Sequence, residues 1–292
     1  MADGRPFAIV DIAGKGRGMV AARAISAGER ILAEAPLFTA SNSFNANAMA
    51  EVLRIVLRLP PADAAAFNAL HTAACHTQGP AAFKIFKTNS LPLGNAPNAD
   101  GGLFLLAARI NHSCTPNVVH RWSPALRQEV IHANRDIVEG EELTTCYLEP
   151  AQPRAERQAF LASSFGFLCR CAACELSGGA LAASDRARSR VRALEDEIYA
   201  EISRGRFRRG VTLVEECIAT LRAEGIGFPA LLSPRCYDAY QACKAAKWHQ
   251  DARRWLEEAL LHALAAGGPE DPEVLLYRDL LARPLTAPHV HP

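Results

Sequence analysis

Asn111-His112-Ser113-Cys114 is followed at a distance by Tyr147 and then by Cys169-Arg170-Cys171-Ala172-Ala173-Cys174, and the fold of this chain turns on reading these pieces together. The C-x-C-x-x-C knuckle supplies three thiols. A structural Zn²⁺ wants four, because a d¹⁰ ion accepts tetrahedral thiolates without geometric strain, and Cys114 is the natural fourth. A metal held this way would close about 55 residues of chain, and closing a long loop is where a staple constrains the unfolded state most. Read singly, these thiols are also consistent with ordinary buried cysteines, of which the chain has nine in all, or with disulfide partners. The odd count, and an opening Met-Ala-Asp-Gly-Arg-Pro that is no secretory leader, favour metal in a reducing compartment, cytoplasmic or nuclear. Cys75, Cys146, Cys217, Cys236 and Cys243 are scattered and read as core fillers.

At 292 residues the chain has room for about two domains and an ample apolar core. Its 32 Lys and Arg balance 31 Asp and Glu, so no global field favours nucleic acid or an acidic membrane. Arg204, Arg206, Arg208 and Arg209 form one short basic cluster, which reads as a solvated helix end. The longest apolar run, Gly102 to Ile110, is far too short to span a bilayer and contains Arg109. Neither direct nucleic-acid binding nor a membrane role is expected.

Phe7 to Val10 and Ile31 to Ala33 read as short strands, with Gly14-Lys15-Gly16-Arg17-Gly18 as a glycine-rich turn. From Asn45 the period changes: Val52, Ile55, Val56 and Leu59 fall at helical spacing and stop at Pro60-Pro61, and Ala64 to Ala74 and Ala81 to Phe86 predict two further helices. Asn95 to Gly102 marks the exit from this insert. Strands return at Val118 to Trp122 and Glu129 to His132, joined as a hairpin across Ser123-Pro124. Arg23-Ala24-Ile25-Ser26-Ala27-Gly28-Glu29 is echoed by Arg135-Asp136-Ile137-Val138-Glu139-Gly140-Glu141, and both copies should turn at the glycine. Beyond Gly178-Gly179 the pattern is helical: Val191, Leu194, Ile198 and Ile202, then Val211, Val214, Cys217, Ile218 and Leu221, recur every three or four residues, and amphipathic stretches follow at Tyr237 to Trp248, Ala252 to Leu264 and Val274 to Leu281. The fold class is therefore α+β. Its expected divisions are 1–40 with 101–150, a helical insert at 41–100, a zinc-binding segment at 151–178, and a helical bundle at 179–292 for which a tetratricopeptide-like arrangement is one expectation.

Gly14 to Gly18, Asn111 to Asn117, Gly140-Glu141-Glu142-Leu143-Thr144-Thr145-Cys146-Tyr147 and Cys169 to Cys174 occur in an order and spacing that resemble the SET-domain methyltransferases, closest to the SET and MYND group. The resemblance covers residues 5 to 174. It implies small twisted sheets around a pseudoknot, in which the segment after Asn111 threads near Tyr147, and a cofactor, S-adenosylmethionine. On that resemblance Lys15, Gly16 and Arg17 face the cofactor, Asn111 and His112 hold its amino and adenine parts, Phe167 packs on the adenine ring, and Tyr147 is catalytic. Cys114, Cys169, Cys171 and Cys174 would hold one structural Zn²⁺ per chain. Between Ala40 and Gly101 only Cys75, His71 and His76 occur, which excludes the MYND zinc module. Phe165, in the substrate channel, stands where relatives often carry tyrosine, so one hydroxyl is missing from the channel wall.

Taken alone, the same residues say less. The glycine turn fails the dinucleotide and phosphate-loop patterns, Asn111 fits a turn cap, His112 a satisfied core histidine, and Tyr147 a strand residue. Contact with a rigid metal site is what would give Asn111 fixed geometry. Four thiolates on Zn²⁺ carry two net negative charges, which Arg170 would partly offset. Methyl transfer needs an unprotonated amine aligned on the donor with water excluded, so Tyr147 is expected to orient the amine and not to act as a strong base. The expected activity is methylation of a lysine side chain in a histone or another protein, by a monomer. Two alternatives are an S-adenosylmethionine enzyme acting on a small metabolite and a non-catalytic interaction protein.

Overall fold

Phe7–Ile12 (β1) and Gly16–Ala21 (β2) form the first hairpin, in register from Phe7 opposite Ala21 to Ile12 opposite Gly16. The computed structural model describes residues 4–94 and 99–283 and shows an α+β protein. Arg30–Glu34 (β3) and Phe38–Ala40 (β4) follow. The chain then turns helical with Ala46–Val56 (α1), Pro61–Asn68 (α2) and Ala81–Asn89 (α3). Asn45 caps α1 by accepting from the Ala48 N–H at 2.9 Å.

The second helix differs from the sequence expectation of Ala64 to Ala74. It starts at Pro61, whose fixed φ suits a first helical turn. It stops at Asn68 because α3 captures the backbone that follows: Thr88 Oγ1 accepts from Ala73 N–H at 3.1 Å and Asn89 Nδ2 donates to His71 O at 2.7 Å. These tertiary bonds satisfy groups that a longer helix would have paired internally. The insert also ends as a strand, Ser90–Pro92 (β5), which with β4 flanks Gly101–Leu103 (β6) in one three-stranded sheet. Phe38, Phe67 and Phe86 join insert to sheet, with Phe38 stacked on Phe86 at 5.6 Å between centroids. Of the expected exit segment, residues 95–98 lie outside the described residues.

After a single 3-10 turn, Ala107–Arg109, come the short strand Asn111–His112 (β7), the hairpin Val118–Ser123 (β8) with Gln128–Ala133 (β9), and Glu142–Thr145 (β10). β3, β9 and β8 form a second three-stranded sheet. The four-stranded sheet runs β1-β2-β10-β7, and β7 is parallel to β10, with Asn111 opposite Thr144 and His112 opposite Thr145. The segment after Asn111 stays under β10, as Ser113 N–H donates to Thr145 O and Asn117 N–H to Thr144 O. This is the threading expected of a pseudoknot.

The two copies of the sequence echo make the same turn. Arg23 pairs with Glu29 at 2.6 Å and Arg135 with Glu141 at 2.5 Å, while Gly28 and Gly140 have φ of 77° and 82°, a region that costs an L side chain about 1–2 kcal/mol. The copies also pair with each other. Ile25 and Ile137 exchange backbone hydrogen bonds of 3.0 and 2.9 Å, Gly140 N–H donates to Ala21 O, and Gly28 N–H donates to Ala133 O. The pairing is reciprocal, so a local two-fold relates the turns that lead out of β2 and out of β9.

Arg154–Phe165 (α4) and the single turn Ala172–Glu175 (α5) lead into five helices, Gly178–Ser203 (α6), Phe207–Ala223 (α7), Pro229–Ala245 (α8), His249–Gly267 (α9) and Pro272–Ala282 (α10). Each packs on the next, burying Val191, Leu194, Ile198, Val214 and Leu221 as their period requires. Cys217, Cys236 and Cys243 are buried in this core, whereas Cys75 and Cys146 are only half-buried. α9 lies against β8 and β9, and Arg121 of β8 reaches Asp271 at 2.7 Å and Glu273 at 3.2 Å at the start of α10. No helix among the described residues is long and apolar enough to cross a membrane.

Candidate active site and metal centre

From the edge strand β7, beyond β10, the Asn111 side chain reaches β2 at a residue that has no side chain of its own. A Cβ on Gly18 would lie 2.5 Å from Ile12 Cγ1 and 2.7 Å from Asn111 Nδ2. Only glycine lets the Asn111 amide come this close. From there Asn111 Nδ2 donates to Glu142 Oε1 at 3.0 Å, and Lys15 Nζ reaches Glu142 Oε2 at 2.6 Å. Lys15 is largely exposed, so solvent screens that pair and its own contribution is below about 1 kcal/mol. Lys15, Gly16 and Arg17 are exposed, and nothing lies within 4 Å of where a Gly16 Cβ would be. Burial, and then the charge of Arg17, depress the Arg109 pKa, so two guanidiniums stand close enough to repel. Neither pairs with a carboxylate among the described residues. This positive spot beside an open turn suits the carboxylate of an amino-acid-like ligand such as S-adenosylmethionine.

Tyr147 follows β10 and folds back over β7. Its hydroxyl donates to the Ile110 carbonyl at 2.6 Å and its backbone N–H donates to His112 Nδ1 at 3.0 Å. Burial, and secondarily the Glu142 charge, push the phenol pKa above its ordinary value, which removes it further from service as a base near neutrality. Around it the rings of Phe165 and His112 lie with centroids at 4.9 and 5.3 Å, and Phe167 faces His112 at 6.1 Å. The lining is therefore aromatic and apolar. Phe160 and Leu168 continue it outward, both exposed, and Phe160 is 6.2 Å from Phe165. Gly166, left-handed at the end of α4, brings this wall against the insert: a Cβ there would sit 3.4 Å from Ala74 N.

His112 is buried, and burial drops its pKa to about 4, so the imidazole is neutral at physiological pH. Because Nδ1 accepts from Tyr147, the proton belongs on Nε2, which lies 3.3 Å from Cys114 Sγ. Both ring nitrogens thus have protein partners. A contact from His112 to a cofactor would fall to its backbone or ring face.

The four cysteines nominated by spacing converge. Sulfurs of Cys114, Cys169, Cys171 and Cys174 all lie within 4.8 Å of one another, with Cys114 at 3.5 Å from Cys174 and 4.0 Å from Cys169. Tetrahedral Zn–S bonds of about 2.3 Å put sulfurs about 3.8 Å apart, whereas a disulfide needs about 2.05 Å. The donor set and spacing fit a metal ion, and all four thiols are free. Gln158 of α4 clamps the knuckle by donating to Cys169 O at 2.7 Å and accepting from Cys169 N–H at 2.9 Å. Cys174 N–H closes the turn onto Cys171 O at 2.8 Å.

The arginine beside the sulfurs is not Arg170, the one expected. Arg170 is exposed, while Arg157 is fully buried with Nη2 3.8 Å from Cys174 Sγ and Nη1 donating to Gln152 O. Burial opposes its charge, yet the Cys114 and Cys174 sulfurs outweigh burial and raise its pKa. A sequence signal for it existed. Arg157, Leu161 and Phe165 recur every four residues along α4, and Leu161 is fully buried, so an arginine stood on the stripe that faces inward.

The SET domain family matches residues 16–148. The histone-lysine N-methyltransferase set5 of Schizosaccharomyces pombe is 38% identical over 170 residues, 58% of this chain and 50% of that protein. The N-lysine methyltransferase SMYD2 of Homo sapiens is 32% identical over 114 residues, 39% of this chain and 25% of that protein. The chain thus spans half the length of the first relative and a quarter of the second. Among solved structures, the SET domain of LSMT bound to lysine and AdoHcy aligns over 97% of this chain and 87% of that one, with a TM-score of 0.38 and 13% identity, a likeness too distant to bear on the fold. The glycine turn from Gly16, the threaded Asn111–Cys114 segment and Tyr147 all fall inside the matched stretch, and that stretch, residues 16–148, is a SET domain.

Proposed function

We propose that this protein is an S-adenosylmethionine-dependent methyltransferase acting on the side-chain amine of lysine in a protein. One observation carries the reading: the hydroxyl of half-buried Tyr147, fixed on the Ile110 carbonyl beside Asn111, faces an apolar aromatic wall. The names of the two relatives support the same class of reaction. S-adenosylmethionine, when bound, supplies an activated methyl group on a sulfonium. Lys15, Gly16, Arg17 and Asn111 would hold its amino-acid end, and the backbone of His112 with the ring of Phe167 its adenine.

The residues around the amine follow from charge and geometry. A lysine has a pKa of about 10.4 in water and must be neutral to react. An apolar lining of Phe165, Phe167 and Tyr147 disfavours the ammonium form and excludes water. Tyr147 has donated its only proton to Ile110, so its oxygen is left as an acceptor that orients an amine N–H. Exposed Phe160 and Leu168 at the rim favour a polypeptide over a charged metabolite, since they offer an apolar contact and no ion pair. Cys114, Cys169, Cys171 and Cys174 would hold one Zn²⁺ in a structural role, because four thiolates leave no open position. The proposal includes action in the nucleus or cytoplasm as a monomer and the division of the chain at residues 40, 100, 150 and 178.

Incubation with labelled S-adenosylmethionine and core histones or a lysine peptide library tests it. Tyr147→Phe should reduce transfer by about 10²–10³, the usual loss for one positioned polar group, while S-adenosylhomocysteine binding persists. Calorimetry showing no affinity of the wild type for S-adenosylhomocysteine would refute the enzyme reading.

A further inference from the structure

We propose that Arg157 is the dedicated counter-charge of the cysteine metal centre, a positioning residue whose buried guanidinium sets how firmly the metal is held. The inference rests on the metal reading above and goes beyond it by assigning a residue outside the ligand set. Arg157 is fully buried, and among the described residues it forms no ion pair with a carboxylate. Its Nη1 spends itself on Gln152 O, its Nε has no hydrogen-bond partner, and its Nη2 points at Cys174 Sγ. A guanidinium stays protonated under all ordinary conditions, and an uncompensated buried ion costs several kcal/mol. Something anionic must therefore face it, and the sulfurs are what it faces.

Neutral thiols would leave that cation uncompensated. Four thiolates without a metal would repel one another far more than one arginine can offset. Four thiolates around a divalent ion carry two net negative charges, which a single buried cation halves. The other fully buried guanidinium nearby, Arg188, is already matched, since its Nε donates to Glu224 at 3.2 Å and its Nη1 bonds to Pro150 O. Among the described residues, Arg157 is the one arginine whose side chain is committed to the sulfurs. It also joins the knuckle to α4, which carries Gln158, the residue that clamps Cys169, and Phe165 of the aromatic wall. Loss of the charge at position 157 should loosen metal and wall together.

The test compares the full chain with Arg157→Met, Arg157→Lys and Arg170→Met. Zinc content is read by mass spectrometry, folding by circular dichroism, and metal loss by the rate of zinc transfer to a chromophoric chelator. Arg157→Met should release zinc at least tenfold faster than the wild type, Arg157→Lys within threefold of it, and Arg170→Met at the wild-type rate. If Arg157→Met does not fold, Arg157→Lys decides: zinc held at near the wild-type rate supports the role of charge, and release tenfold faster overturns it. A wild type that takes up no zinc overturns the metal reading and this inference with it. A zinc-loaded wild type and an Arg157→Met protein with equal release rates overturn the counter-charge alone.

Discussion

Replacing Gly18 by alanine should damage the proposed cofactor site through one added methyl group. The new Cβ would meet Ile12 Cγ1 at 2.5 Å and Asn111 Nδ2 at 2.7 Å, with Glu142 Oε1 at 3.5 Å. Real Cβ atoms do not sit at the first two distances, so β2 or Asn111 must move. Overpacking of this kind costs about 1–3 kcal/mol, and breaking the Asn111–Glu142 hydrogen bond adds about 1 kcal/mol. A total loss of about 2–4 kcal/mol follows. Gly14→Ala is the matched control: nothing lies within 4 Å of its Cβ, but its φ of 73° costs an L residue about 1–2 kcal/mol. The two alanines thus strain the protein by different routes, and only the one at 18 displaces Asn111. Denaturant unfolding should show both losses, whereas S-adenosylhomocysteine titration should show affinity falling at least tenfold for Gly18→Ala and less than threefold for Gly14→Ala. Wild-type affinity in a folded Gly18→Ala protein would refute the claim that this contact sets the position of Asn111.

Two further perturbations test other parts of the molecule. Cys171→Ser should abolish stoichiometric zinc and open residues 166–176 to limited proteolysis before the helical bundle melts, since a metal site supplies folding energy to the segment it ties; retention of one zinc per chain would contradict the ligand set. His132 is buried between β9 and the turn before α10, where Arg30, Glu270 and Asp271 face it, and burial lowers its pKa to about 4 against an ordinary 6.5. The unfolded chain therefore binds the proton first as pH falls, so His132 costs no stability above about pH 6.5 and destabilises progressively down to about pH 4, by at most about 3 kcal/mol. His132→Gln should flatten that part of the stability profile, and an unchanged slope in urea unfolding would dismiss the assignment.

Much of the molecule was legible in its residues. The C-x-C-x-x-C spacing and Cys114 predicted four thiols in one place, because a tetrahedral ion demands a fixed number of sulfurs whatever the fold. The Arg-Ile-Gly-Glu echo predicted two glycine turns, because a positive φ is a local property of the chain. The helical bundle followed from apolar residues recurring every three or four positions. What these local rules could not show is which groups meet across the chain. The end of α2 at Asn68 was settled by Thr88 and Asn89 from a later helix, and the reciprocal pairing of the two echo turns by strands far apart in sequence. Arg170, inside the knuckle, was the obvious cation, yet it points to solvent, while Arg157 is driven inward by the packing of α4. The proton on His112 likewise depends on Tyr147 on one side and Cys114 on the other. Residue types and spacing determined which chemistry this protein carries. Burial and electrostatics are sums over neighbours that only the folded chain assembles, so the tertiary structure decided which charges and protons accompany that chemistry.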